Sequence, residues 1–259
     1  MCIRDRHYRS RLARAGNNAG SNFTVARLYK EASVVGGPES CHRQDSVMAD
    51  SRAQLQEELA TGIKAIGLTI DATTQERLLD YLLQLHKWNQ AFNLSGIKQL
   101  QDMLRLHLLD SLVLAPFIDG ECIADVGTGA GLPGFPLALC YPDKRFLLID
   151  SNSKKTRFIF QTAAILEVKN ISAIHSRVED YASQPQVDIV TSRAFASLKD
   201  FVVGCRHLVS GPGKFLAMKG LYPKSEVDEL PSGFQVSAVH QVKVPGVAAE
   251  RHILEIRRV

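Results

Sequence analysis

The sequence predicts an α/β protein, a Rossmann-like doubly wound sheet with a small N-terminal helical cap. Three observations predict it. A glycine-rich turn at residues 123–134 joins an apolar run to a proline-containing helix start. Beyond it, short apolar runs alternate with amphipathic stretches, the pattern of βαβ units. Two β-rich runs around Pro245-Gly246 close the chain as an antiparallel pair.

Residues 1–47 lack sustained periodicity and are rich in Arg, Ser, Gly and Asn. They read as disordered. They carry eight Lys/Arg and four Asp/Glu. Removing them from the totals of 31 and 27 leaves 23 basic and 23 acidic residues, so the whole excess of +4 sits in this leader. Of two readings, a basic RNA-binding arm and a non-native extension with Met48 as the first residue, the second is preferred. Basic tails are common and weakly specific. The folded part carries no global field, and any nucleic-acid surface on it is a local patch.

Residues 48–118 are expected to form the cap. Leu78, Leu82, Leu85 and Phe92 recur at helical spacing on one face, and Asp71 suits the N-cap of that helix. Leu104, Leu108, Leu112 and Ala115 form the apolar face of the next helix, before Pro116. Residues 119–259 are expected to form the sheet domain. The run ending at Val126 is the first strand. Gly127, Gly129 and Gly131 let the backbone turn sharply and approach a ligand closely, and Pro133 and Pro136 suit the first turn of a following helix. Arg145–Ile149 is the second strand, ending at Asp150, and Lys154–Leu166 a helix. Ile171–His175 is the third strand and Val187–Thr191 the fourth. Ser197 caps a helix to Val209, Lys214–Met218 is the fifth strand, and Phe234–Val244 and Arg251–Ile256 are the final pair.

Composition narrows the function. No uninterrupted apolar run approaches the ~18 residues of a membrane span. The N-terminus has no apolar signal region. The five cysteines are scattered and never in C-x-x-C. That fits free thiols in a reducing cytoplasm and argues against a zinc site.

The glycine turn admits two nucleotide readings. Gly129, Gly131 and Gly134 match the dinucleotide pattern G-x-G-x-x-G, with Asp150 at about the 20-residue distance of a ribose-binding acid. In the other register Asp125 precedes Gly127, Gly129 and Gly131, which resembles the first motif of S-adenosylmethionine methyltransferases. Dinucleotide dehydrogenases mostly continue into a separate substrate domain, and no residues remain here for one.

Several stretches decide between them. They are His86-Lys87-Trp88-Asn89 with Phe92-Asn93-Leu94, His107-Leu108-Leu109-Asp110-Ser111, Asp125 to Gly134, Ser176-Arg177-Val178-Glu179, Ser192-Arg193-Ala194-Phe195-Ala196, and Met218-Lys219-Gly220. In this order they closely resemble the ribosomal RNA small subunit methyltransferase G family, also called the glucose-inhibited division protein B family. The resemblance covers about residues 50–259. It implies a class I S-adenosylmethionine-dependent fold and methylation of a guanine N7 in bacterial 16S rRNA. The cofactor it implies is S-adenosylmethionine, with contacts at Gly127, Leu132, Val178, Glu179 and Arg193. The partner is 16S rRNA or the small ribosomal subunit. A cytoplasmic monomer with no metal and no membrane contact is expected.

Other candidates rest on position. Asp150, at the end of the second strand, is placed to accept from ribose hydroxyls; its alternative is a cap for the Lys154 helix. Asp125 either orients the methionine amino group through water or stabilises the turn. His107 and Asp110 are an i,i+3 pair that can share a helix face near the site's mouth. Arg193, Lys219 and His107 are candidates for positioning substrate. Lys154, Lys155, Arg157 and Lys219 are candidates for RNA contact; Phe195 either stacks on a base or, the preferred reading, sits in the core or at an edge. His86, Trp88 and Asn89 are expected to lock the cap to the sheet. Guanine N7 carries an in-plane lone pair, so no general base is required. Two other readings share these features: a small-molecule methyltransferase of the same fold, and a non-catalytic S-adenosylmethionine- or RNA-binding factor in ribosome assembly.

Overall fold

The computed structural model describes residues 38–182, 186–193 and 195–259, with side chains described from residue 52 onward except at 210. The expected disordered leader lies, for residues 1–37, outside the described residues. The chain divides into two units, Met1–Val47 and Met48–Val259. A helical backbone already begins at Pro38, inside the stretch read as leader.

Helix α1 spans Pro38–Ile66 and α2 Ala72–Phe92. Asp71 caps α2 as expected, accepting from the Thr74 N–H at 2.9 Å. Leu78, Leu82 and Leu85 are buried on its inner face, whereas Phe92, at the helix end, is 46% exposed. At the last residue of a helix the apolar stripe has run past the surface it covers, so sharing a face with buried residues does not bury this ring. The next helix is broken into α3 (Leu100–Met103), a π-helical run at Leu104–Leu109 and α4 (Asp110–Leu112).

Among the described residues seven strands follow: β1 Cys122–Val126, β2 Arg145–Asp150, β3 Ile171–His175, β4 Val187–Ser192, β5 Val209–Lys219, β6 Phe234–Val242 and β7 Arg251–Arg258. Their order is β3-β2-β1-β4-β5-β7-β6. The first five are parallel, and β7 runs antiparallel between β5 and β6. Helices α5 (Gly134–Cys140), α6 (Ser153–Ile165), α7 (Leu198–Cys205) and α8 (Lys224–Asp228) connect them. Ser197 caps α7 as expected, accepting from the Asp200 N–H, and the helix ends at Cys205, before the expected Val209.

Strand residues divide by parity. Cys122, Ala124 and Val126 join Leu147, Ile149, Phe215 and Ala217 in the core under α7. Ile123, Phe146, Leu148, Leu216 and Met218 face the other side, in one core with residues of α1, α2, α5 and α6. The sheet is thus covered on both faces, as a parallel sheet requires. The cap helices are part of that second core and not a separate one.

Candidate active site

The carboxyl ends of β1 and β2 build the turn. Gly127, Gly129 and Gly131 all have positive φ, 65°, 63° and 92°, a region that only glycine enters without strain. The N–H groups of Gly127 and Thr128 both donate to the Ile149 carbonyl. Asp150 holds the turn from its other side, with Oδ2 accepting from the Gly129 N–H and Oδ1 from the Asn152 N–H, each at 2.8 Å. The cap of α6 is Asn152, which accepts from the Lys154 and Lys155 N–H groups. Asp150 therefore braces the glycine turn, and the capping of α6 falls to Asn152, two residues on.

Asp125 lies beneath the turn, fully buried. Its Oδ2 accepts from Thr128 Oγ1 at 2.6 Å and the Gly134 N–H at 2.8 Å, while Oδ1 has no partner. Burial pushes its pKa up to about 6. A β-carbon at Gly134 would stand 2.2 Å from Leu148 Cδ2, which is why the helix starts on glycine. Leu132 is buried behind the turn, in a cis peptide bond to Pro133. From α2, Tyr81 donates its hydroxyl to the Ala130 carbonyl and stacks on Phe135 at 4.5 Å, tying cap to turn.

A pocket of about 210 Å³ opens over this corner. Its walls include Gly127, Asp150, Arg177, Val178, Glu179 and Phe195. Four of the expected cofactor residues, Gly127, Asp150, Val178 and Glu179, therefore come together. Gly129 is one hydrogen bond behind them. Gly131, Leu132 and Asp125 shape the turn and are not among the pocket's walls. Arg193 and Lys219 line a narrow recess that shares Phe195 with the pocket. Phe195 also packs on Phe201, so it is an edge aromatic that doubles as a wall.

The i,i+3 pair is corrected by the structure. The His107 and Asp110 side chains are not hydrogen-bonded to each other, although the Asp110 N–H reaches back to the His107 carbonyl. The π-helical turn that contains His107 is wider than an α turn, and it sends the two side chains to different partners. His107 Nδ1 donates to the Leu106 carbonyl at 3.2 Å, which leaves Nε2 to accept from Ser95 Oγ at 2.6 Å. Burial, then the nearby Arg193 charge, lowers its pKa to about 4. Asp110 instead receives two arginines, Arg193 Nη1 on Oδ2 at 2.8 Å and Arg251 Nε on Oδ1 at 2.7 Å. Arg251, 141 residues away in sequence, carries no local signal that would have found it. Lys219 is paired with Glu226 at 2.8 Å. Lys154 and Arg157 are exposed, and Lys155 turns toward Gly129. Asn89 ties down the following loop through the Ser95 N–H and the Ile97 carbonyl.

The profile of the rRNA small subunit methyltransferase G family matches residues 74–254. This chain belongs to that family. Relatives bearing the name ribosomal RNA small subunit methyltransferase G share 43% identity over 208 residues in Alteromonas mediterranea, covering 79% of this chain and 99% of the relative. The figures for Ectopseudomonas mendocina are 46% over 204 residues, 78% and 95%. Those for Vibrio vulnificus are 44% over 205 residues, 79% and 97%. Among solved structures, a SAM-dependent methyltransferase from Thiobacillus denitrificans in complex with S-adenosyl-L-homocysteine aligns at 12% identity. It covers 64% of this chain and all of its own, with a TM-score of 0.45. Ribosomal protein L11 methylase from Lactobacillus delbrueckii subsp. bulgaricus aligns at 16% identity over 63% and 80%, with a TM-score of 0.47. As a family member the chain is an S-adenosylmethionine-dependent methyltransferase. No described helix is long and apolar enough to cross a membrane, and no cluster of metal-ligating side chains occurs among the described residues.

Proposed function

We propose that this protein methylates N7 of a guanine in the 16S rRNA of the small ribosomal subunit, in the bacterial cytoplasm. The observation that carries the reading is the single pocket in which Gly127, Asp150, Val178 and Glu179 meet. Its donor set fits S-adenosylmethionine. Each Asp150 oxygen accepts one backbone N–H, and a carboxylate has about four acceptor sites, so capacity remains for ribose hydroxyls. Val126, Ile149 and Val178 are apolar walls for an adenine ring, and Glu179 is an acceptor at its edge. When bound, S-adenosylmethionine supplies an electrophilic methyl group on its sulfonium.

The chain's own groups then have limited tasks. Gly127, Gly129 and Gly131 let the backbone come close, and Asp125 and Leu132 hold the turn from behind. The target base must leave its stack, because the A-form major groove is too narrow for side chains to read. N7 attacks with its own lone pair, so the protein supplies placement and not proton removal. His107 suits that role: both ring nitrogens are engaged within the protein, and its lowered pKa keeps it neutral. The product ring gains positive charge, which unpaired cations at the mouth would oppose. Arg193 and Lys219 each sit beside a carboxylate, Asp110 and Glu226. They are left to orient O6, a phosphate or the methionine carboxylate.

The test is methyl transfer from labelled S-adenosylmethionine to small subunits purified from cells lacking the gene, followed by nucleoside mass spectrometry. The expected product is 7-methylguanosine in 16S rRNA. Label on another nucleoside, or on no RNA at all, overturns the reading.

A further inference from the structure

The charge of the folded part is balanced overall but not locally. Residues 81–101 hold Lys87 and Lys98, residues 151–166 hold Lys154, Lys155 and Arg157, and neither segment contains an Asp or Glu. The two segments pack against each other. Trp88 of α2 meets Phe158 of α6 edge-on, with ring centroids 5.6 Å apart. Trp88 also packs on Phe92, with ring centroids 5.1 Å apart. Phe92 is the last ring of the apolar stripe of α2, and the structure leaves it 46% exposed.

This face adjoins the cofactor corner. Lys154 and Lys155 lie one turn N-terminal to Phe158, and helical side chains lean toward the N-terminus. Lys155 Nζ lies 3.9 Å from where a β-carbon of Gly129 would stand. A strip thus runs from the glycine turn, across the first turn of α6, to Phe92. Beyond Asp150, whose oxygens accept from the Gly129 and Asn152 N–H groups, the two segments supply cations without acids, with the Phe92 ring exposed and packed on Trp88. That is the chemistry of a single-stranded nucleic acid site, with phosphates tracked by lysine and arginine and a base stacked on an aromatic face. A protein partner of mixed charge would leave these cations unmatched.

We propose that this face holds the RNA strand beside the target guanine, with Phe92 stacking on an unpaired base and Lys154, Lys155 and Arg157 contacting phosphates. The proposal rests on the RNA methyltransferase reading above. It adds a residue whose aromatic ring is otherwise unused and a direction of approach past α6.

The test uses the full chain, small ribosomal subunits and S-adenosylmethionine. Phe92→Ala should raise KM for the subunits about tenfold, the scale of one lost base–aromatic stack. Its kcat should stay within about twofold, because the lost contact binds substrate and transition state alike. S-adenosylmethionine affinity and melting temperature should match the wild type, and Phe92→Trp should restore KM. Lys154→Glu combined with Arg157→Glu should weaken subunit binding and lower its salt dependence, by roughly 0.7 in log–log slope per lost phosphate contact. A wild-type KM in Phe92→Ala, while the wild type methylates rRNA, overturns this proposal alone. So does an equal loss of S-adenosylmethionine affinity, which would mark a role in the turn. If the wild type methylates no RNA, the functional reading fails and this proposal falls with it.

Discussion

Asp110→Asn should loosen the mouth of the site and cost stability in a measurable amount. The Asp110 side chain is 8% exposed, and its two oxygens take Arg193 at 2.8 Å and Arg251 at 2.7 Å. An amide keeps one acceptor and presents N–H groups to the other guanidinium, so one charge-assisted bond becomes a donor–donor clash. Both arginines also lose their counter-charge. Breaking a fully buried ion pair costs about 3–5 kcal/mol. Here Arg193 and Arg251 are 24% and 22% exposed, so water screens part of the loss. An expectation of about 2–3 kcal/mol follows. At about 2–4 °C per kcal/mol for a domain of this size, the melting temperature should fall by roughly 4–12 °C. Calorimetric melting gives the stability arm. Steady-state methyl transfer on small subunits gives the other, where a drop in kcat/KM comparable to that of Arg193→Lys is expected. A double-mutant cycle of Asp110→Asn with Arg193→Lys should show coupling of about 0.5–3 kcal/mol. An unchanged melting temperature with additive kinetic effects would refute the reasoning, since Asp110 would then neither hold the arginines nor act through them.

Gly127→Val should abolish S-adenosylmethionine binding in calorimetry while circular dichroism stays folded, because φ of 65° disfavours any β-branched residue; unchanged affinity would remove this turn from the cofactor site. The single-turnover methyl-transfer rate should be nearly flat from about pH 6 to 8.5, and a tenfold rise abolished by His107→Ala would point to a different target atom with a proton to remove. His107 is held at about 4 in the folded protein against 6.5 ordinarily, so the unfolded chain binds the extra proton first. Its contribution is complete above pH 6.5 and lost as pH falls toward 4, by about 2 kcal/mol between pH 6.5 and 5, and His107→Gln should remove that acid limb in denaturant titrations. Asp125 behaves oppositely: raised to about 6 from 3.8, it favours the folded state at low pH and loses about 3 kcal/mol as pH rises from 3.8 through 6, a slope that Asp125→Asn should lack.

What the sequence by itself determined was local. The glycine turn, the caps at Asp71 and Ser197, the strand runs and the closing pair each depend on residues within a few positions of one another and were legible, except that β5 begins at Val209, inside the stretch read as helix and turn. Asp150 was legible as a candidate from sheet geometry, because in a doubly wound sheet successive strand ends converge on one crevice. Gly127, Val178 and Glu179 were named as cofactor contacts by the family resemblance, and the four line one pocket.

Only the tertiary structure decided which residues meet across the chain. It inserted β7 between β5 and β6, joined Asp110 to Arg193 and Arg251, and set Tyr81 on the Ala130 carbonyl. It gave His107 to Ser95 and not to Asp110, because a π turn shifts the helix face that an α-helical count assumes. It put Asp125 and Leu132 behind the turn and Phe92 outside the core. Periodicity records which side of its own element a residue occupies, and stays silent on where the opposing surface ends. The partners of a buried charge are chosen by packing over long sequence separations, where no local propensity acts.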